Sequence, residues 1–234
     1  MELHDAPATY LFKLWPWLET NKVRIASGAG VILVAAGLIS FYSWQREQKE
    51  ITASNELTQL MLSDTRNSTP AQQSGLYLKI ARDHQSTSAG QRAFLQSAAI
   101  LFAAGQYADA HTQFGQFLTQ YPNSFFAGQA ALGQAASLDA QGKTDLASAA
   151  YQRVITSYSD PLVANYAKYS LAQIDERQGK LNEALSLYDD ILHSNPDRTL
   201  GSEAGLRAME LKRQRPPAPP ATTTTAPISS TPEP

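Results

Sequence analysis

The stretches that decide the fold are AAGQYADA (103–110), AQGKTDLA (140–147) and RQGKLNEA (177–184), which align with one another at a spacing of 37 residues. In each, a glycine follows a run of helix-forming residues and a second helical pattern starts directly after it. Gly105, Gly142 and Gly179 therefore stand just past helix ends. A left-handed residue there satisfies the last carbonyls, and glycine adopts that conformation without a Cβ clash. Outward from the glycines, the same period holds Ala110, Ala147 and Ala184, then Ala98, Ala135 and Ala172, then Ala93, Ala130 and Ala167. An aromatic column runs through Phe114, Tyr151 and Tyr188, with Tyr77 one step back, while Pro122 and Pro196 are two periods apart with Ser159 between them. Small residues let antiparallel helices cross closely, and an aromatic fills the space between neighbouring pairs. The spacing predicts an all-α chain of stacked helical hairpins. Asp160-Pro161 reads as an N-cap followed by proline at the first helical position.

These columns resemble the tetratricopeptide family, whose unit has a Gly-x-aromatic turn, then alanine, aromatic and proline at fixed offsets. Gly105, Tyr107, Ala110, Phe114 and Pro122 match each point. Gly179, Ala184, Tyr188 and Pro196 match with Leu181 in the turn, and the middle unit departs most, with Thr144 in the turn and Ser159 in place of proline. The family unit is ~34 residues long. The surplus here is expected to lengthen the first helix of each pair. The resemblance covers residues 70–213, as a second helix near 70–83 lacking a recognisable first helix, units near 91–124, 125–160 and 161–198, and a cap near 199–213. It implies an α-solenoid of about three and a half hairpins plus the cap.

Ahead of the repeat, residues 25–42 read IASGAGVILVAAGLISFY, 18 residues without a charge, which Val23 and Ser43-Trp44 extend to spanning length. Trp15, Trp17 and Trp44 flank the stretch as interfacial aromatics do. The organisation expected is a cytoplasmic segment at 1–22, a transmembrane helix at 23–44 and a juxtamembrane helix and linker at 45–69. Lys13, Lys22 and Arg24 precede the span, against Arg46 and Lys49 after it, so the positive-inside rule puts the N-terminus in the cytoplasm by a single cation. Residues 214–234 are rich in Pro and Thr and lack the apolar side chains that would offset ordering entropy. That tail is expected to be disordered.

Chemistry is hard to find. With 19 Lys plus Arg against 21 Asp plus Glu, the chain carries no field that would draw in nucleic acid, and with no Cys it has no thiolate site. His4, His84, His111 and His193 show no metal-ligand spacing. The expectation is a protein without catalytic, cofactor or metal residues and without a small-molecule substrate. A repeat array instead presents the face of its first helices to other proteins. Projected onto this chain, that face carries Leu95, Ala99 and Phe102, then Leu132 and Ala136, then Tyr166, Tyr169 and Gln173, an apolar and aromatic groove.

An N-terminal anchor followed by a few such units resembles the bacterial inner-membrane tetratricopeptide proteins ancillary to the Sec translocon. The resemblance implies a single-pass inner-membrane protein with its C-terminal domain in the periplasm, holding translocon subunits, a chaperone or client chains. Two other readings stand beside it: a periplasmic scaffold for envelope assembly or cell division of the Tol-Pal-associated type, and a membrane-bound enzyme with an unrecognised site.

Overall fold

A computed structural model describes residues 6–63, 68–194 and 198–214, among which there are nine helices and no strand. The chain divides at Leu101 and Phe102 into two units.

The first unit holds α1 (Ala6–Leu62), α2 (Pro70–Asp83) and most of α3 (Ser88–Ala103). α1 is one uninterrupted helix of 57 residues, so the apolar stretch and the charged segment after it share a single axis. Within it lies a segment long and apolar enough to cross a membrane, none of which is covered by the rest of the chain. Val23, Ile32, Leu33, Leu38 and Ile39 all stand at least 65% exposed, a surface stable against lipid and costly against water. Beyond it the environment changes. Ala53 and Leu57 are buried where the end of α1 packs on α2. The second helix at 70–83 thus finds its first helix in the end of α1. No Gly turn joins the two, which is why the sequence pattern leaves it single.

α2 starts on a capping box in which Thr69 accepts from the Gln72 amide and the Gln72 side chain accepts from the Thr69 amide, with Pro70 at the first position. The turn after α2 is fastened to α1 twice. Glu50 accepts from the Ser88 and Ala89 amides at 2.7 and 2.8 Å, capping α3 from another helix, and Glu56 lies 2.9 Å from His84.

The second unit contains α4 (Tyr107–Gln120), α5 (Ala127–Ala140), α6 (Thr144–Ser157), α7 (Pro161–Arg177), α8 (Leu181–His193) and α9 (Arg198–Gln214), each packed on the next in chain order from α4 to α9. Gly105, Gly142 and Gly179 have φ of 78, 72 and 75°. At Gly142 the amide reaches Asp139 O and the Lys143 amide reaches Leu138 O, and at Gly179 the corresponding amides reach Glu176 O and Asp175 O. These are paired Schellman bonds. Asp160 caps α7 by accepting from the Leu162 amide, with Pro161 behind it.

The columns are the core. Ala110, Ala147, Ala184, Ala93, Ala130, Ala167, Ala135 and Ala172 are fully buried, and Tyr77, Phe114, Tyr151 and Tyr188 are buried. Ala204 extends one alanine column to α9 and is also fully buried, so α9 occupies the place of a first helix. The surplus length is distributed unevenly. α7 has 17 residues against 13 in α8 and α3 has 16 against 14 in α4, but α5 and α6 have 14 each. For that middle unit the extra residues lie in the connection 121–126 rather than in the helix. Pro122 stands exposed in that connection. Pro196 and the tail from 215 lie outside the described residues.

Candidate functional site

Phe114 and Tyr151 each reach into the next pair at a position 19 residues further on, Gly133 and Ser170. A Cβ on Gly133 would fall 2.5 Å from the Phe114 ring, so this ring lies flat against the α5 backbone. Tyr151 places its hydroxyl beside Ser170, and burial pushes its phenol up to about 12. Tyr188 donates to the Glu176 carboxylate and packs edge-on to Tyr169, with ring centroids 5.6 Å apart. Burial and the Glu176 hydrogen bond raise the Tyr188 phenol, and the Arg207 charge opposes them. Glycine and serine thus occupy one structural position with two different aromatic contacts, while Arg207, the next residue at that interval, hydrogen-bonds Tyr169 and acts on Tyr188 through its charge.

Direct packing of α5 on α7 brings first helices side by side. On α5, Gln129, Gly133, Ala136 and Ala140 lie on one stripe by helical spacing, and none of them is buried. Tyr166, Ser170, Gln173 and Arg177 repeat that stripe on α7, and Glu203, Arg207, Glu210 and Gln214 repeat it on α9. The stripe changes character along the unit. It is small and uncharged on α5, mixed on α7 and strongly charged on α9. Arg177 reaches back to Asp139 on α5 at 2.7 Å, and Tyr169 donates to Glu203 on α9 at 2.6 Å, so stripe residues cross-link consecutive first helices.

Exposure divides the expected groove residues. In the first unit Leu95 is buried and Ala99 is exposed. In the second, Phe102 is half-buried with its ring edge-on to Tyr107. Leu132 and Ala136 are half-buried against the core formed by α5, α6 and α7. Tyr166 is 41% exposed and Gln173 half-buried, whereas Tyr169 is buried in the core of α7, α8 and α9 with its hydroxyl committed to Glu203. Ala136, Tyr166 and Gln173 are the members that share the open stripe. Tyr169 and Leu95 turn inward, because a residue three positions from Tyr166 sits about 60° away around the helix. The charged part of the stripe, Arg177, Glu203, Arg207 and Glu210, was missed by projection. A count of 37 from Gln129 and Ala136 reaches Glu203 and Glu210 in two steps.

No group of three or more metal-ligating side chains occurs among the described residues. His111 is half-buried, and burial and then the Lys143 charge hold its pKa below the usual histidine value, which keeps it neutral at neutral pH. An open cleft of about 510 Å³ lies between the start of α8 and α9, lined by Lys180, Leu181, Glu183, Leu185 and Leu211 among others. Its lining mixes the polar Lys180, Asn182 and Glu183 with three leucines, and it is open to solvent.

Comparison with known proteins gives two family matches, a tetratricopeptide repeat-like domain over residues 109–196 and a tetratricopeptide repeat over residues 92–124. Among curated proteins nothing matches. Two solved structures of MamA, one of a double mutant designated RS-1 ArsTM and one of the portion from residue 41 onward of the Desulfovibrio magneticus RS-1 protein, are each 19% identical. They have TM-scores of 0.47 and 0.46, cover 70% of this chain and are themselves covered to 95 and 96%. The two family matches together span the three glycine turns, so that residues 92–196 match the tetratricopeptide-repeat family.

Proposed function

We propose that the protein is a membrane-anchored scaffold that binds other proteins through its first-helix stripe. It has its N-terminus in the cytoplasm and its repeat array in the periplasm, and it serves as an ancillary subunit that holds a chaperone or client chain near the translocon. The observation that carries this reading is the stripe itself. Tyr166 stays 41% exposed between small residues on α5 and charges on α9, while the core behind it is closed by alanine and tyrosine columns. An exposed aromatic beside adaptable polar groups and charges is the composition of a protein-binding hot spot. The apolar flank of α1 supports the anchor. No catalytic step is assigned to any residue.

Partner identity is tested by affinity purification of the full chain from detergent-solubilised membranes of its native cells, followed by mass spectrometry. Translocon subunits or secretory chaperones, lost on Tyr166→Ala, are the expected result. Recovery of division or outer-membrane assembly proteins without any translocon subunit would overturn the translocon reading in favour of the envelope-scaffold one.

A further inference from the structure

A second pocket, of about 270 Å³, lies entirely in the first unit and is lined by Tyr42, Gln45, Arg46 and Lys49 of α1 and by Ser86 of the turn after α2. Three observations converge on it. The first is its level along the helix. Tyr42 ends the uncharged stretch 25–42, and at 1.5 Å per residue Gln45 to Lys49 stand about 5 to 10 Å further along the axis. A bilayer of ~30 Å of hydrocarbon within ~40–45 Å overall puts its headgroups at that depth.

The second is its chemistry. Arg46 and Lys49 have no ion-pair or hydrogen-bond partner among the described residues, and both are exposed. A guanidinium fork and an ammonium, flanked by a phenol, an amide and a hydroxyl, suit a phosphate oxyanion. Glu50 and Glu56 do not compete for the cations. Glu50 has both oxygens on the α3 amides, and Glu56 faces His84.

The third is the wall. Ser86 belongs to the turn that Glu50 and Glu56 fasten to α1, so the pocket exists only where this turn is docked. Tyr42, Gln45, Lys49 and Ala53 follow helical spacing. The packed flank of α1 therefore runs upward into the pocket.

We propose that this pocket binds the phosphate of an anionic phospholipid headgroup, setting the depth of α1 in the bilayer and bracing the first hairpin against it. The proposal rests on the reading of α1 as a membrane anchor.

The test uses the full chain in nanodiscs of phosphatidylcholine containing a minor fraction of phosphatidylglycerol, with retained lipid measured by native mass spectrometry. Wild type is expected to enrich phosphatidylglycerol about tenfold over its bulk fraction. Arg46→Gln with Lys49→Gln should abolish the enrichment, and so should Ser86→Leu, which fills the pocket and leaves both cations in place. Enrichment lost in the double variant but unchanged in Ser86→Leu would reduce the effect to general attraction by the cations and overturn the pocket. Displacement of the lipid by millimolar inorganic phosphate would overturn a lipid as the ligand. Failure of wild type to float with plain phosphatidylcholine vesicles would overturn the anchor itself. A protein that floats but shows no enrichment would overturn the site alone.

Discussion

Tyr151 concentrates the logic of the array in one side chain. It is 2% exposed and spans the α5, α6 and α7 core, so Tyr151→Ala should open a cavity worth about 3 to 5 kcal/mol of stability. Chemical denaturation of the full chain measures this, and an unchanged midpoint would show that the ring bears no weight. The same residue predicts an alkaline limit. Its folded pKa lies near 12 against an ordinary 10.0, so its contribution is complete below pH 10 and is lost as the pH rises toward 12. Stability followed across that window should decline in wild type and decline less in Tyr151→Phe. That Tyr151 would be buried was legible in the sequence, because a column of aromatics at a fixed interval has few uses other than spacing helices. Its partner Ser170 was not. The position 19 residues on holds Gly, Ser and Arg in successive units, and only the fold shows that Gly133 and Ser170 meet the aromatic of the preceding pair.

At the scale of elements, the helix ends are the most sequence-determined features. Gly142 at φ 72° follows from chirality alone, and Gly142→Ala should cost about 1 kcal/mol with little change in contacts, since nothing lies within 4 Å of the added Cβ. Gly133→Ala is the informative contrast. Its backbone is ordinary helix, but the Cβ would strike the Phe114 ring, so the loss should come from displaced packing and exceed that of Gly142→Ala in the same denaturation assay. The cap of α3 could not be read from sequence. Its acceptor, Glu50, lies 38 residues upstream of Ser88, and a cap borrowed from another helix leaves no local motif. Glu50→Gln should weaken it by about 1 kcal/mol, seen as faster hydrogen exchange at the Ser88 and Ala89 amides while α8 stays unchanged. The uneven surplus length has the same origin. Repeat counting registers the period and not whether a helix or a connection absorbs it, and that choice decides which residues of a first helix face outward.

The whole molecule joins an apolar helix, one end of which is packed into the first hairpin, to a repeat array whose last first-helix, α9, lies at its C-terminal end. Leu206 and Met209 on α9 are 68 and 70% exposed, although the corresponding Tyr169 and Ala172 of the preceding unit are buried. The class of fold was readable because periodicity survives substitution. The exposed face of the first helices was only partly readable, because a shift of three positions turns Tyr166 outward and Tyr169 inward, and the family interval of ~34 residues does not carry over to a unit of 37. The central claim is that proteins dock on the first-helix stripe, and its most direct test is site-specific photocrosslinking in intact cells. A photoreactive side chain would be placed at Tyr166 on the stripe, or at the exposed Gln152 of the second helix α6. Docking on the stripe should give discrete protein adducts from position 166 at several times the yield from position 152. Equal yields from the two positions, or adducts from position 152 alone, would contradict it.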